Sequence, residues 1–257
     1  MLFLAFAVLV ACGGGGDDGT TPTDSGSTSA SWTYMVYMGA DNNLSSAGLV
    51  DLNEMESVGS NANVKIVLQA EFSQQYTPSL DSSYGYNWTT LRFLVTNDND
   101  TSDVNLAAGT SIGNQDMGDP ATLSAFITWA TTNYPADHYA LVIWDHGAGW
   151  KKSRLATMQF KGAVQDATSG SFMSLPDLAE AVTDAGVHLD IINFDACLMG
   201  MYEVLYEFNG LVDYMVFSEE TEPGNGDPYD TILAALVATP SMSARTLSQT
   251  IVNAYHN

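Results

Sequence analysis

Basic residues are the scarcest ingredient of this sequence. Seven Lys and Arg stand against 30 Asp and Glu, for a formal net charge of −23. A chain this acidic is a poor candidate for binding nucleic acid or an anionic membrane, which needs clustered Lys and Arg. The charge attracts cationic ligands or simply keeps the chain well solvated. Cysteine is nearly absent as well: Cys12 and Cys197 are the only two, which excludes a disulfide framework. No apolar run is long enough to cross a bilayer as a helix, because the one that opens the chain stops at Cys12. The histidines, His138, His146, His188 and His256, have no local zinc-ligand spacing. No internal repeat is visible.

What is present begins with a leader. Met1–Cys12, MLFLAFAVLVAC, has the shape of a secretory h-region. Its end, Leu9-Val10-Ala11-Cys12, resembles a bacterial lipobox. That resemblance implies cleavage before Cys12, diacylation of its thiol, and anchoring to the lipid bilayer of a bacterial cell envelope, facing the periplasm or the cell surface. The basic residues that usually precede an h-region are missing, as expected if the natural start lies a few residues upstream. Gly13–Ser31 carries no apolar residue larger than alanine and reads as a flexible tether. Residues 32–257 remain as one domain large enough to bury a sizeable core. With Cys12 lipidated, Cys197 has no disulfide partner, and an unpaired thiol in an oxidising compartment favours function over structure.

Within the domain, apolar runs at 32–38, 64–70, 89–96, 138–144, 189–194 and 212–218 predict strands. Helical spacing predicts helices at 44–58, 120–133, 175–185, 199–208, 229–238 and 244–255, with Ser45 or Ser46 capping the first. The polar, Tyr-rich stretch 72–88 reads as a long loop or hairpin. Asp98, Asp100 and Asp103 look faintly like a calcium loop. However, Asp103 occupies the position where an EF-hand needs Gly, and Gly109 the position where it needs Glu, so a solvated acidic loop is expected. Strands alternating with helices predict an α/β fold with a mainly parallel central sheet flanked by helices. The last predicted helix meets the end of the chain with no Gly or Pro to stop it, so a further C-terminal region is expected.

Two of the predicted strands end in reactive residues. His138–Trp144, HYALVIW, stops at Asp145-His146-Gly147, and Leu189–Phe194, LDIINF, stops at Asp195-Ala196-Cys197. Open α/β sheets place their ligands just beyond the carboxyl ends of strands, so parallel neighbours would bring imidazole and thiol to one rim. A lone buried cysteine is commonly a small hydrophobe, and a lone histidine a satisfied core residue. The pairing of both at strand ends is what distinguishes these two. His138 and His188 precede their strands, roughly 20 Å or more from that rim, and read with His256 as structural or surface residues. Asp145 adjoins His146 on an extended strand, so its side chain points to the opposite face and takes no triad role.

These motifs, with WTYMVYMGADNNL near the start and SEETEPGNGDPYD at Ser218–Asp230, resemble the clostripain-like cysteine peptidases of the caspase–gingipain–legumain clan, from Trp32 to the end. The resemblance implies a caspase-like sandwich and a cysteine endopeptidase cleaving peptides or proteins after basic residues, Arg or Lys. Cys197 would be the nucleophile, His146 its partner, and the N–H groups of Gly147 and Cys197 the oxyanion hole. The amino end of the following helix would help to lower the thiol pKa. Asp195 would sit in the pocket that takes the basic side chain. The family tends to carry a second acid where this chain has Asn225, which would weaken the preference or tilt it to Arg, with Asp227 a substitute nearby. Lys151, Lys152, Arg154 and Lys161 crowd the segment between the two motifs. There the resemblance implies self-cleavage, after Arg154 or Lys161. No residue pattern requires a cofactor, although some family members use calcium. The competing reading is a catalytically silent surface lipoprotein that serves as a binding or adhesion module. Third comes a lipoprotein whose acidic loops capture cations or peptides.

Overall fold

The computed structural model describes residues 29–98, 100, 102–150 and 162–256. In chain order the elements are β1 (Ala30–Ala40), α1 (Ser45–Val58), β2 (Val64–Phe72), α2 (Ser79–Tyr84), β3 (Leu91–Leu94), β4 (Thr110–Ser111), α3 (Pro120–Asn133) and β5 (Ala136–Trp144). There follow β6 (Val164–Asp166), β7 (Ser171–Met173), α4 (Leu175–Asp184), β8 (Leu189–Asp195), α5 (Tyr202–Glu207), β9 (Val212–Val216), α6 (Tyr229–Ala238) and α7 (Ala244–Tyr255).

Seven strands form one sheet in the order β4-β3-β2-β1-β5-β8-β9. The run from β2 to β9 is parallel, and β3 and β4 add an antiparallel edge. The central strands are apolar at nearly every position because helices cover both faces. On one face Tyr34, Val36 and Met38 of β1 pack with Leu52 and Met55 of α1, Leu233 and Leu236 of α6, and Leu247 of α7. On the other, Met35 and Tyr37 pack with Phe126 and Ile127 of α3 and Leu178 of α4. The alternation of β1 between two cores is the period-two pattern of a pleated strand.

Local signals account for several boundaries. Asp119 caps α3 by accepting from Ala121 N–H ahead of Pro120, and the predicted inner face Leu123, Phe126, Ile127 and Ala130 is the buried one. Ser174 and Asp177 form a reciprocal capping box on α4. Other expectations need correction. Neither Ser45 nor Ser46 caps α1; Ser45 is buried within the helix, where its hydroxyl pairs with Thr77 and accepts from Ser73 N–H. Residues 72–88 contain α2, whose six residues are too few to show a period. The short hairpin β6/β7 is equally invisible to periodicity. Strand β1 begins at Ala30, inside the stretch read as tether, while Cys12 and the rest of the leader lie outside the described residues. Among the described residues no helix is long and apolar enough to cross a membrane.

Candidate active site

The site lies at the carboxyl rim of β5 and β8. Trp144 and Asp195 are register partners in these parallel strands, and Asp145 N–H donates to Asp195 O across the gap at 3.3 Å. His146 and Cys197 each follow two residues after a paired position, and the two line one cavity of about 190 Å³. Gly147 is packed directly on the nucleophile turn: a Cβ there would lie 2.1 Å from Cys197 O and 2.8 Å from Cys197 N. Only glycine permits that approach. Among the described residues neither the Gly147 nor the Cys197 N–H is taken by an internal acceptor, which leaves both for a ligand.

The turn after Cys197 is not the one expected. Helix α5 starts only at Tyr202, so its dipole, which fades within a turn, does not reach the thiol. Leu198 instead takes a left-handed backbone, φ 62°, a conformation that costs a non-glycine residue ~1 kcal/mol or more. The loop after β9 clasps this turn. Leu198 N–H donates to Glu220 O at 3.0 Å, Gly200 N–H to Ser218 O at 2.7 Å, and Glu222 N–H to the Cys197 sulfur at 3.3 Å. The SEETEPGNGDPYD segment thus wraps the turn that carries Cys197. Burial lowers the His146 pKa, so its imidazole is neutral near pH 7 and able to act as a base.

Carboxylates dominate the cavity wall: Asp51, Asp145, Asp195 and Glu222 all line it. Asp145 is spent on structure, accepting from Asn42 Nδ2, His146 N and Gln165 N. Asp195 accepts from the Tyr229 hydroxyl at 2.8 Å and from Asp227 N–H at 3.3 Å. Gly226, at φ 55°, lets the loop press against it. Helix α6 is held for this purpose by Glu54 of α1, which accepts from Tyr229 N–H at 3.0 Å. Burial raises the Asp195 pKa, and Tyr229, the Asp227 N–H and the nearby Glu222 carboxyl offset part of that rise. Burial, reinforced by the charges of Asp195 and Asp227, pushes Glu222 up to about 9. Burial and then the charge of Asp195 push Asp51 up to about 9 as well, although Trp144 Nε1–H donates to it at 2.6 Å.

Asp51 and Glu222 were missed in the sequence. Nothing local marks a helical aspartate 146 residues before Cys197, or one Glu among several in an acidic loop. Of the three pocket residues expected from the sequence, Asp195 lines the cavity and Asn225 and Asp227 do not. Asn225 is exposed and outside the cavity wall, and Asp227 is buried behind Asp195, where Asn193 Nδ2 donates to it at 2.5 Å. Lys161, Arg154 and their basic neighbours lie outside the described residues. His138 bonds Asp190 at 2.7 Å and stacks on Trp32, and His188 faces Asp213 at 3.2 Å.

A second acidic group, Asp41, Glu71 and Asp166, has oxygen atoms within 4.8 Å of one another and is buried. An all-carboxylate set is donor chemistry that calcium favours. Each of these carboxylates already accepts a hydrogen bond, however: Asp41 from Thr168 N–H, Glu71 from the Thr90 hydroxyl, and Asp166 from Met117 and Ser169 N–H. Burial raises Glu71 to about 8, which lowers the charge of the group at neutral pH, and three carboxylates alone fall short of a calcium shell of six to eight oxygens.

Comparison with known proteins agrees with this geometry. A sequence model of the clostripain family matches residues 36–257. Clostripain from Hathewaya histolytica is 27% identical over 223 residues, covering 80% of this chain and 42% of that protein. A secreted C11 cysteine protease from Bacteroides thetaiotaomicron, solved with an irreversible peptide inhibitor, superposes with a TM-score of 0.63 at 29% identity, over 88% of this chain and 58% of its own. An inactive zymogen C11 protease from Parabacteroides distasonis gives a TM-score of 0.63 at 26% identity, over 89% and 58%. The chain therefore spans less than half of the clostripain it matches and 58% of these two proteases. It shares their caspase-like α/β architecture, with a mostly parallel seven-stranded sheet between helices. By sequence over most of its length and by fold, this chain belongs to the clostripain family of cysteine peptidases.

Proposed function

We propose that the protein is a cysteine endopeptidase that cleaves after Arg, and after Lys less readily. One observation carries this reading: the cavity that holds Cys197 and His146 is walled by Asp51, Asp195 and Glu222, and among the described residues no Lys or Arg lines it. His146 takes the thiol proton, and the thiolate attacks the scissile carbonyl. The Gly147 and Cys197 N–H groups receive the developing oxyanion. The imidazolium then protonates the leaving amine, and water, deprotonated by the same imidazole, releases the acid from the thioester.

A planar guanidinium meets two carboxylates at once more readily than an ammonium does, which supports Arg over Lys. The acid missing at Asn225 is offset by Glu222, three residues earlier in the same loop, and by Asp51 from α1. Self-cleavage after Arg154 or Lys161 fits this specificity, since four of the seven basic residues fall in that one segment. The LVAC sequence at Cys12 supports membrane anchoring of the mature protein.

A panel of fluorogenic peptides ending in Arg, Lys, Leu or Asp tests the reading. Arg is expected to exceed Leu in kcat/KM by ~10²-fold or more, the worth of a desolvated charge-assisted pair. Equal turnover of Arg and Leu peptides refutes the specificity. No turnover of any, by a protein that melts cooperatively, favours the binding-module reading.

A further inference from the structure

Asn43 lies in the turn that follows β1, and its Oδ1 sits 2.9 Å from Nε2 of His146. With Oδ1 facing the ring as an acceptor, the contact is made by a proton on Nε2 and leaves Nδ1 as the basic nitrogen of the neutral ring. We propose that Asn43 is the positioning residue for His146: it selects the Nε2–H tautomer and aims the imidazole, so that Nδ1 takes the proton from the Cys197 thiol.

The turn is built to hold that amide still. Asn42, one residue earlier, donates through Nδ2 to Gly39 O at 2.9 Å and to Asp145 Oδ1 at 2.7 Å, and accepts from Leu44 N–H through Oδ1 at 2.8 Å. Asp145 also accepts from the backbone N–H of His146 itself. Its carboxylate therefore ties the end of β1 to the residue carrying the imidazole. Gly39 makes room for the clamp, since a Cβ there would fall 2.8 Å from Asp145 Oδ2. Residues on both sides of Asn43 are pinned, and its side chain spans to the ring. Asp145, the residue beside His146 in sequence, thus acts through the backbone and through Asn42, while Asn43, 103 residues away, makes the ring contact.

An amide suits this place better than a carboxylate. A carboxylate held directly against the ring would favour His146 as imidazolium, unable to accept the thiol proton. Asn43 orients without adding charge. When Sγ–H passes its proton to Nδ1, the Nε2–H···Oδ1 bond persists and strengthens as the ring becomes cationic. The same bond holds while Nδ1–H is given to the leaving amine.

The proposal rests on the Cys197–His146 reading, but its test separates the two. In protein labelled with ¹⁵N only at histidine side chains, His146 is expected to show the Nε2–H tautomer, with that preference lost in Asn43→Ala. Cys197→Ala should keep it. In turnover of an Arg reporter, Asn43→Ala is expected to lower kcat ~10- to 100-fold with KM little changed, because the side-chain pocket is untouched. Asn43→Asp should restore orientation while moving the acidic limb of the pH profile upward. An Nδ1–H tautomer in the wild type, or identical pH profiles and rates for wild type and Asn43→Ala, overturns the proposal. A wild type that shows the tautomer but no turnover would leave the positioning role standing and remove the peptidase reading instead.

Discussion

Cys197→Ala is expected to reduce kcat/KM on an Arg-ended reporter by ~10⁴-fold or more while leaving the fold intact. The size of the loss follows from chemistry, since without sulfur no thioester forms, and what remains is the help that the oxyanion donors and the pocket give to direct attack by water. The insensitivity of the fold follows from packing. Cys197 is only partly buried, in a loop outside both hydrophobic clusters, and among the described residues its side chain's one hydrogen bond is the weak Glu222 N–H···S contact. Losing that contact costs well under ~1 kcal/mol, a shift of no more than about 2–4 °C in a domain of this size. Steady-state kinetics and a thermal melt of the same preparation check both halves. Residual activity within tenfold of wild type would assign the chemistry to another group.

Asp195→Asn is expected to be damaging as well, by a smaller factor and only for basic substrates. Asp195 is the buried carboxylate on which Tyr229, the Asp227 N–H and the Glu222 carboxyl converge. Replacing it with an amide removes the charge a guanidinium needs and presents an N–H₂ group to that cation. A loss of ~10²-fold or more in kcat/KM on Arg reporters, with little change on Leu reporters, is the expected outcome. The fold should tolerate it, because the substitution also relieves repulsion among Asp195, Asp227 and Glu222.

The same cluster gives KM a pH dependence whose sign is fixed. Glu222 and Asp51 each titrate near about 9 in the empty site, raised chiefly by burial, so at neutral pH both are largely protonated. A bound cation prefers the ionised forms and expels those protons. KM for Arg should therefore fall as pH rises from 6 towards 9. The groups facing them are Asp195 and Asp227 from β8 and the loop, Tyr229 from α6, and Glu54 beside Asp51 on α1. Glu222→Gln should flatten the trend. A KM independent of pH in the wild type would mean that the carboxylates do not meet the substrate charge.

The layered fold was legible because its signals are repeated. Six apolar runs alternating with amphipathic segments admit few topologies, and the long helices α3, α6 and α7 fall where their periodicity put them. The short elements α2, β6 and β7 escaped because they are shorter than the window in which a period can be seen, and α5 was read three residues too early, from 199 instead of Tyr202. Of the site, His146 and Cys197 were visible because each ends a strand, and strand ends are readable from a chain alone. Asp51, Glu222 and Asn43 were not. Asp51 looks like any polar residue on an amphipathic helix, Glu222 like one charge in an acidic loop, and Asn43 like a turn-former between Asn42 and Leu44. Their roles exist only once β1, β5 and β8 lie side by side. Position 225 taught the reverse lesson, since a departure from the family pattern there concerns an exposed residue outside the cavity wall.

The central claim is that one cavity joins a nucleophilic sulfur, its base and an acidic specificity pocket. A chloromethyl ketone carrying Arg tests all three together, read by peptide-mapping mass spectrometry. A single adduct on Cys197, formed at least tenfold faster than with the Leu analogue and abolished in His146→Ala, is the expected result. Equal labelling by both reagents, or an adduct anywhere but Cys197, would contradict it.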